Sequence, residues 1–211
     1  MFLIKFFALK ERNASKMTIQ EIKEKALEDH IPIIMDDTLQ KINEILNEYN
    51  PKKLLEIGTA VGYSAICFEK YVPEKIDTIE QDDDRFTEAK RNIESLELTN
   101  KINLIKGNAV EILQNMQINS DEDKYDFVFI DAAKSKYPIF LQEALRLTKN
   151  NAVIVADNVL YKGYVLGDYN KHKQRTAVRH LREFLKMISE NENLESEVLK
   201  IGDGLAIIKK K

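Results

Sequence analysis

The chain has 211 residues, of which 44% are hydrophobic and 32% charged, a composition that suits one globular domain of ordinary size. Its 32 basic and 35 acidic residues give a formal net charge of −3 at pH 7. Without an overall positive field, a polyanion would have to bind a local basic patch, so histone-like and coat-protein functions are disfavoured.

Cysteine content and hydropathy favour a cytoplasmic protein that stays outside membranes. Cys67 is the only cysteine of the chain, so it cannot form an internal disulfide, and a reducing compartment fits. The N-terminal MFLIKFFALK is apolar, but Lys5 interrupts it and no small-residue cleavage site follows, unlike in a signal peptide. No apolar run approaches the roughly 20 residues of a membrane span.

In chain order, the hydrophobic pattern first predicts helices and then an alternation of strands with helices. Residues 18–29 and 36–48 repeat apolar residues at intervals of three and four, which is typical of helices. Short β-rich runs follow at residues 53–57, 75–79, 102–105, 126–131 and 152–156, and helix-like stretches lie between them at 63–70, 84–96, 109–115 and 136–147. Such alternation predicts right-handed crossovers and a mostly parallel sheet with helices on both faces.

The C-terminal part of the sequence predicts a change of strand direction. After a long helix at about residues 174–190 come SEVLKI and LAIIKK, joined by GDG, which is typical of a hairpin turn. The last strand is therefore expected to be antiparallel. No internal repeat or linker-like segment is present, so we expect one domain over 1–211, with a helical segment at 1–50 before a core at 51–211.

The stretch LLEIGTAVGYSA follows the first predicted strand and opens a helix. Gly58 and Gly62 permit tight turns and close approach of a ligand, and the helix that begins near Tyr63 offers free N–H groups. Ala60 stands where a dinucleotide-binding loop would carry its middle glycine, and no Gly-Lys-Ser/Thr follows. A dinucleotide and ATP are therefore disfavoured as ligands.

An acidic residue supports a different nucleoside ligand. Glu80 ends the second predicted strand, the place where a carboxylate can accept the hydroxyl groups of a ribose. By themselves, the two glycines and this acid fit an ordinary turn between strand and helix, with a solvated carboxylate, as well as they fit a binding site.

Oxygen-bearing side chains end the fourth and fifth predicted strands. Asp131 follows one strand, and Asp157 with Asn158 follows the other. Hard oxygen ligands at one edge of a parallel sheet suit Mg²⁺, and the absence of thiolate or imidazole groups from this set disfavours zinc. The alternative role for these residues is to cap the helices that follow the strands.

A basic segment lies between the metal motif and the final hairpin. Residues 168–186 carry six cationic side chains and few acids: Lys171, Lys173, Arg175, Arg179, Arg182 and Lys186. Such a segment on an acidic protein is what contact with a phosphate backbone requires. A solvated charged helix face is the alternative interpretation.

Five motifs in order resemble the S-adenosylmethionine-dependent O-methyltransferases that include the catechol and caffeoyl-CoA enzymes. They are LLEIGTAVGYSA, IDTIEQDDDRFTEAKRNI, INLIKGNA, YDFVFIDAAKSKY and VIVADNVLYKG, and the similarity covers roughly residues 30–210. This resemblance implies an α/β class I methyltransferase fold of the Rossmann-like kind, with a seven-stranded, mostly parallel sheet whose last strand is antiparallel. It also implies S-adenosyl-L-methionine as cofactor, together with Mg²⁺ or another divalent cation.

The resemblance implies a role for each matching residue. Glu80 would bind the ribose of the cofactor, and Asn108 with Ala109 would contact its adenine. The methionine end would be bound by four residues of the first loop: Glu56, Gly58, Tyr63 and Ser64. Asp131 would contact both cofactor and metal, and Asp157 and Asn158 would complete the metal site. Lys134 would be the catalytic base, ahead of Lys136. Met35 would lie beside the sulfonium, unless it is simply part of the core.

A narrower resemblance concerns the acceptor. HIPI, EIGTAVGYSA, FIDAAKSKY, DNVLYKG and GDGLAI are similar to motifs of the bacterial tRNA 5-hydroxyuridine methyltransferases, which make 5-methoxyuridine at the wobble position. The C5 hydroxyl and O4 of this base form a catechol-like chelating pair. The resemblance implies the tRNA anticodon loop as partner, bound through Lys171, Lys173, Arg175 and Arg179, and a homodimer.

Two other functions remain in competition at this point. The enzymatic alternative is an O-methyltransferase for small catechol-like or hydroxycinnamoyl substrates. Lys200 counts against a catechol specialist, because catechol enzymes carry a carboxylate about three residues before the Asp-Gly of the final hairpin. The other class is an RNA- or partner-binding module without activity, which an intact set of Asp131, Lys134, Asp157 and Asn158 disfavours.

Overall fold

The computed structural model describes residues 17–167 and 174–211, and its strands form one seven-stranded sheet. The strands are β1 Lys53–Ile57, β2 Lys75–Glu80, β3 Ile102–Lys106, β4 Tyr125–Ile130, β5 Thr148–Ala156, β6 Leu194–Leu199 and β7 Leu205–Lys210. Their order across the sheet is β3-β2-β1-β4-β5-β7-β6. Strands β1 to β5 are parallel, whereas β7 pairs antiparallel with both β5 and β6. The predicted fold, including the antiparallel last strand, is confirmed.

The helices begin and end close to their predicted limits. They are α1 Ile19–Glu28, α2 Asp36–Tyr49, α3 Tyr63–Phe68, α4 Asp83–Ser95, α5 Ala109–Asn115, α6 Tyr137–Leu147 and α7 Arg175–Glu190, with short 3₁₀ turns at Glu69–Tyr71, Asp121–Asp123 and Lys134–Lys136. Thr18 starts α1 with a capping box, in which its hydroxyl accepts from the N–H of Glu21 at 3.2 Å. Within the described ranges, none of these helices has the length and apolar character that crossing a membrane requires.

Alternate residues of the central strands pack into two separate apolar layers. Leu54 and Phe127 face the layer to which α1 to α4 contribute, whereas their neighbours Leu55 and Val128 face the layer formed with α5, α6 and α7. All four side chains are fully buried. Because both faces of these strands are covered, their sequences are continuously apolar and do not alternate with polar residues.

The strand order places the carboxyl ends of β1 to β5 along one edge of the sheet, called here the carboxyl edge. From β1 the chain first builds β2 and β3 on one side and then crosses to build β4 and β5 on the other. At this switch point the helices diverge to opposite faces, which leaves a crevice outside the strand ends. The residues that follow β1, β2, β3, β4 and β5 are therefore brought together there.

Arg182 attaches the segment after β5 to helix α7. Its guanidinium donates hydrogen bonds to the carbonyl oxygens of Val165 at 3.0 Å and Tyr164 at 3.3 Å, and to that of Gly167. A guanidinium has five N–H donors in a planar fork, which suits several carbonyl groups at once. One member of the basic segment is thus engaged by the protein's own backbone.

We predict that Arg182→Met lowers the free energy of unfolding by about 1 kcal/mol, because the aliphatic stem is kept while hydrogen bonds to a partly exposed cation are lost. Arg175→Met on the exposed surface of the same helix is the control and should change stability by less than about 0.5 kcal/mol. Urea denaturation measures both. Equal stability of the Arg182 variant and the parent would contradict a structural role for this arginine.

Candidate active site

A cavity of about 460 Å³ opens at the carboxyl edge, between the residues that follow the first four strands. Its lining includes six of the residues predicted from the sequence to bind cofactor or metal or to act as base: Gly58, Glu80, Asn108, Ala109, Asp131 and Lys134. These residues come from four different segments of the chain, at the ends of β1, β2, β3 and β4, so their convergence is a result of strand order and not of sequence proximity. The cavity is the candidate active site.

Gly58 lets the loop after β1 pass directly over the end of β4. Its φ is +103°, and a Cβ atom built on it would lie 2.1 Å from the carbonyl oxygen of Asp131. Any side chain here would therefore push the loop away from the strand that carries Asp131. This contact between backbones explains why the turn needs a glycine.

Glu80 is held at the cavity wall by two backbone groups. The N–H of Ala60 donates to Oε2 and the N–H of Asp82 to Oε1, both at 2.8 Å. Ala60 adopts a φ of +48°, in the left-handed region, and this conformation belongs to the turn that presents its N–H to Glu80. A carboxylate oxygen can accept two hydrogen bonds and each oxygen of Glu80 accepts one from the backbone, so the fixed carboxylate retains capacity for ribose hydroxyls.

Asn108 has a structural task that limits its freedom. Its Oδ1 accepts from the N–H groups of Val110 at 3.0 Å and Glu111 at 3.4 Å, which caps the start of α5. Ala109 begins that helix and lines the cavity beside it. The adenine contacts implied for these two residues stay a prediction, for which their position at the end of β3 is suitable.

Glu56 lies beneath the glycine loop and outside the lining of the cavity. Its side chain is fully buried, and its two oxygens accept from the hydroxyls of Ser64 and Thr78, each at 2.5 Å. Burial raises the pKa of Glu56 to about 7, against the lowering effect of these two hydroxyls. The structure therefore shows Glu56 and Ser64 bonded to each other, and their contacts with a cofactor remain a prediction.

Tyr63 and Met35 also lie outside the lining of this cavity. Tyr63 is buried at the start of α3, near Cys67, whose thiol pKa burial raises to about 11. Met35 is 46% exposed, so core packing does not describe it. A Cβ atom built on Gly202 would lie 2.5 Å from the methyl carbon of Met35. Met35 therefore lies against the turn between β6 and β7.

The predicted metal ligands converge at the ends of β4 and β5, which are neighbours in the sheet. The Nζ of Lys134 donates to Asn158 Oδ1 at 2.7 Å and to Asp131 Oδ1 at 3.4 Å, so one nitrogen contacts oxygens from both strand ends. Asn158 has a φ of +56°, an unusual conformation for a residue with a side chain and one that is common at functional sites.

Asp157 is almost completely buried in this cluster, at 2% exposure. Burial, followed by the negative charge of Asp131, raises the pKa of Asp157 to about 7. The N–H of Asn158 opposes this rise by donating to Asp157 Oδ1 at 2.6 Å, and the positive charge of Lys134 opposes it as well. A cation at this position relieves the repulsion between the two carboxylates.

The donor set fits a hard divalent cation. Two carboxylates and one amide oxygen are the ligand types of Mg²⁺ and Mn²⁺, and the ammonium of Lys134 shows that the cluster accommodates positive charge. Across residues 17–167 and 174–211, no group of three His, Cys, Asp or Glu side chains is placed to hold a metal ion. The set described here is not such a group, because its third oxygen belongs to an asparagine.

The structure adds two residues to the site that sequence patterns do not indicate. The buried hydroxyl of Tyr137 donates to the backbone carbonyl of Asp157 at 2.7 Å. Asp203 lies in the turn between β6 and β7, where its carbonyl accepts from the N–H of Leu160 at 2.9 Å, and its charge raises the pKa of Asp157. Both residues belong to the sequence motifs named above, but a sequence motif does not reveal contacts between residues on different strands.

The basic segment is described only in part. Lys171 and Lys173 lie outside the described residues, while Arg175 and Arg179 are exposed in the first turns of α7. The exposure of these two arginines is compatible with an interface and with a solvated helix face alike. Their predicted contact with RNA therefore stays a prediction.

Comparison with known proteins assigns the family. Residues 12–211 match the family described as O-methyltransferase. The chain belongs to this family. It is 33% identical over 167 residues to the catechol O-methyltransferase of Niastella koreensis, covering 75% of this chain and 74% of that protein. It is 29% identical over 174 residues to the caffeoyl-CoA O-methyltransferase of Populus kitakamiensis, covering 80% and 74%.

A solved structure has the same fold. The O-methyltransferase from Bacillus cereus in complex with SAH superposes with a TM-score of 0.81 at 24% identity, covering 92% of this chain and 90% of that chain. The family is thus that of the S-adenosylmethionine-dependent O-methyltransferases of the caffeoyl-CoA and catechol type. This result agrees with the resemblance found in the sequence.

The buried carboxyl of Glu56 generates a prediction about pH. Because the folded-state pKa is raised from 4.5 to about 7, the folded protein retains this proton when the unfolded chain has lost it, and stability falls as pH rises through that window. In Glu56→Gln this contribution is absent. The parent should therefore lose up to about 3 kcal/mol relative to the variant between pH 4.5 and 7.

Urea denaturation of both proteins without cofactor measures this difference, and the contribution of Asp157 cancels because both proteins contain it. Parallel stability curves for parent and variant would mean that Glu56 releases its proton at the same pH in the folded protein as in the unfolded chain, and would contradict a raised pKa.

Proposed function

We propose that the chain transfers a methyl group from S-adenosylmethionine to one of two adjacent oxygens of a small catechol-like or hydroxycinnamoyl acceptor, with the help of a divalent cation. The observation that carries this proposal is the position of Lys134, whose Nζ lies 3.4 Å from Asp131 Oδ1 and 2.7 Å from Asn158 Oδ1 and so joins the ends of β4 and β5. The relatives named for catechol and caffeoyl-CoA support the acceptor class.

The cofactor half of the site is prepared by backbone geometry. Glu80 presents a carboxylate already fixed by two N–H groups, so little side-chain entropy is lost when it accepts ribose hydroxyls. The close contact of the Gly58 loop with the end of β4 holds this loop beside Asp131, and both would border a bound cofactor. Bound by these residues, the cofactor would lie beside the ends of β4 and β5, where the acceptor would be placed.

The residues Asp131, Asp157 and Asn158 would hold the cation. When bound, a divalent cation lowers the pKa of a hydroxyl group that it coordinates. Lys134 lies at the rim of this cluster with a side chain that is 21% exposed, and its Nζ would serve as the general base that accepts the proton of the acceptor hydroxyl. The acceptor oxygen then forms a bond to the methyl carbon as the bond from that carbon to sulfur breaks, leaving S-adenosylhomocysteine.

A second acceptor, the wobble 5-hydroxyuridine of tRNA, is favoured by particular side chains. Its C5 hydroxyl and O4 offer the same pair of adjacent oxygens as a catechol. Lys200, exposed just before the last turn, replaces the carboxylate of catechol enzymes, and Arg175 and Arg179 are exposed on α7. Arg182, in contrast, is bonded to the backbone of residues 164–167, which leaves fewer cations of this segment for phosphates.

Asp157→Asn should abolish methyl transfer to a small catechol-like acceptor, at least a hundredfold, while S-adenosylhomocysteine affinity changes by less than about threefold, because this side chain binds cation and not cofactor. Asp126→Asn is the matched control, since Asp126 lies at the opposite end of β4, where it accepts from the N–H groups of Lys52 and Lys53. EDTA should act on the parent as the substitution does. Full activity in chelator would refute cation dependence.

The two acceptors are separated by kinetics. We expect the parent to methylate a catechol-like or hydroxycinnamoyl compound, and Arg175→Gln/Arg179→Gln to do so at the parental rate, because these side chains lie outside the cavity. If tRNA is the acceptor, a deletion strain will lack 5-methoxyuridine and accumulate 5-hydroxyuridine. The double variant will then show a higher KM for that tRNA, and this KM will depend less on salt concentration. The reason is that about one fewer counterion is released on binding for each phosphate contact that is lost.

A further inference from the structure

Tyr137 is a buried side chain that links the two strand ends of the metal site. It is the first residue of α6 and is fully buried. Its hydroxyl donates to the carbonyl oxygen of Asp157 at 2.7 Å and lies 3.4 Å from the carbonyl oxygen of Ile130, the residue before Asp131. A phenol has one proton, and the shorter distance identifies Asp157 as its acceptor.

The peptide unit between Asp157 and Asn158 is held at both ends. Its carbonyl accepts from Tyr137, and its N–H donates to the Oδ1 of Asp157 at 2.6 Å. The two side chains that flank this peptide are predicted metal ligands. Rotation of the peptide plane would move both side chains relative to Asp131, so the orientation of the plane determines the geometry of the ligand set.

The surroundings of Tyr137 make its hydroxyl a rigid donor. The ring packs edge-on against Phe184 of α7, with 5.5 Å between centroids, and at a tilt against Phe140 at 6.3 Å. Its backbone N–H donates to the carbonyl of Lys134, which closes the turn that carries the proposed base. One residue thus contacts the base segment through its backbone and the ligand peptide through its side chain.

We propose that Tyr137 is a positioning residue that fixes the Asp157–Asn158 peptide and thereby sets the affinity of the site for a divalent cation. This inference rests on the proposed function, because it requires a cation at Asp131, Asp157 and Asn158. Tyr137 itself is not a catalytic residue, because its fully buried hydroxyl is bonded to backbone and is not in the lining of the cavity. Outer groups that orient ligands in this way change metal affinity by about 10- to 100-fold when they are lost.

The chain contains a matched control for this proposal. Tyr125 is also buried, and its hydroxyl donates to Asp77 Oδ2 at 2.8 Å. It lies at the start of β4, so the length of the strand separates it from the ligands. Tyr125→Phe and Tyr137→Phe each remove one buried hydroxyl that donates one hydrogen bond, and only the second removes it from the ligand peptide.

The test measures binding of Mn²⁺ alone by the electron paramagnetic resonance signal of the free ion, because Mn²⁺ accepts the same oxygen ligands as Mg²⁺. We expect Tyr137→Phe to weaken Mn²⁺ binding about tenfold or more and Tyr125→Phe to change it by less than twofold. Calorimetry with S-adenosylhomocysteine should give the parental affinity for both variants, because the residues assigned to the cofactor are untouched. Melting curves verify that both variants are folded.

A second measurement needs no loss of the hydroxyl. With 3-fluorotyrosine placed at position 137 or at position 125 of the parent, addition of Mg²⁺ should shift the fluorine resonance at 137 and leave that at 125 in place. This readout holds even where Tyr137→Phe proves too unstable to titrate.

The outcomes distinguish this proposal from the proposed function. The positioning role would be overturned by parental Mn²⁺ affinity in Tyr137→Phe. It would also be overturned if Mg²⁺ did not shift the fluorine resonance at position 137 although the parent binds the ion. Either result would leave the methyltransferase mechanism intact. Equal weakening by both tyrosine substitutions would also overturn it, because the effect would then be one of general stability. A parent that binds neither ion would overturn the cation mechanism and this inference together.

Discussion

Two like charges at the ends of adjacent strands are the constraint on which the site depends. Asp131 and Asp157 are brought together because β4 and β5 pair in register, and Asp157 is deprived of water by the same burial that stabilises the sheet. Carboxylates in such an arrangement do not both ionise without a compensating charge. The pairing of these strands therefore favours a positive charge at this point of the carboxyl edge. Lys134, three residues beyond Asp131, supplies part of that charge.

The rest of the carboxyl edge is arranged around that point by backbone contacts more than by side chains. Gly58 brings the first loop over the end of β4, and the N–H of Ala60 fixes Glu80. Glu56, Ser64 and Thr78 form a buried polar layer under the same loop. Because these groups are already bonded to one another, little of the site has to be ordered when a ligand enters, which is the physical meaning of preorganisation.

Much of this architecture could be predicted because it follows from local patterns of apolar and polar residues in the sequence. Continuous apolar runs mark the central strands, and residues at or just after the ends of β1 to β4 line the cavity, whereas Asp157 and Asn158 after β5 are not in its lining. The direction of a buried side chain is not local, and here the sequence was less informative. It did not indicate that Glu56 bonds to Ser64 and Thr78, that Met35 lies against Gly202, or that Arg182 binds the backbone carbonyls of residues 164–167. The hydrophobic pattern also predicts that β5 begins at Ala152, whereas it begins at Thr148, because the first residues of this strand are polar.

The insertion of β7 between β5 and β6 affects the order in which the molecule can be completed during synthesis. The inner half of β5, AVIVA, is among the most apolar stretches of the sheet, and its outer edge pairs only with β7, which follows later in the chain. Until the ribosome has released β7, that edge presents unpaired N–H and C=O groups next to apolar side chains, the combination that promotes pairing between different chains. A nascent chain in which β7 has not yet formed thus exposes an aggregation-prone edge, and the pairing of β7 with β5 covers it.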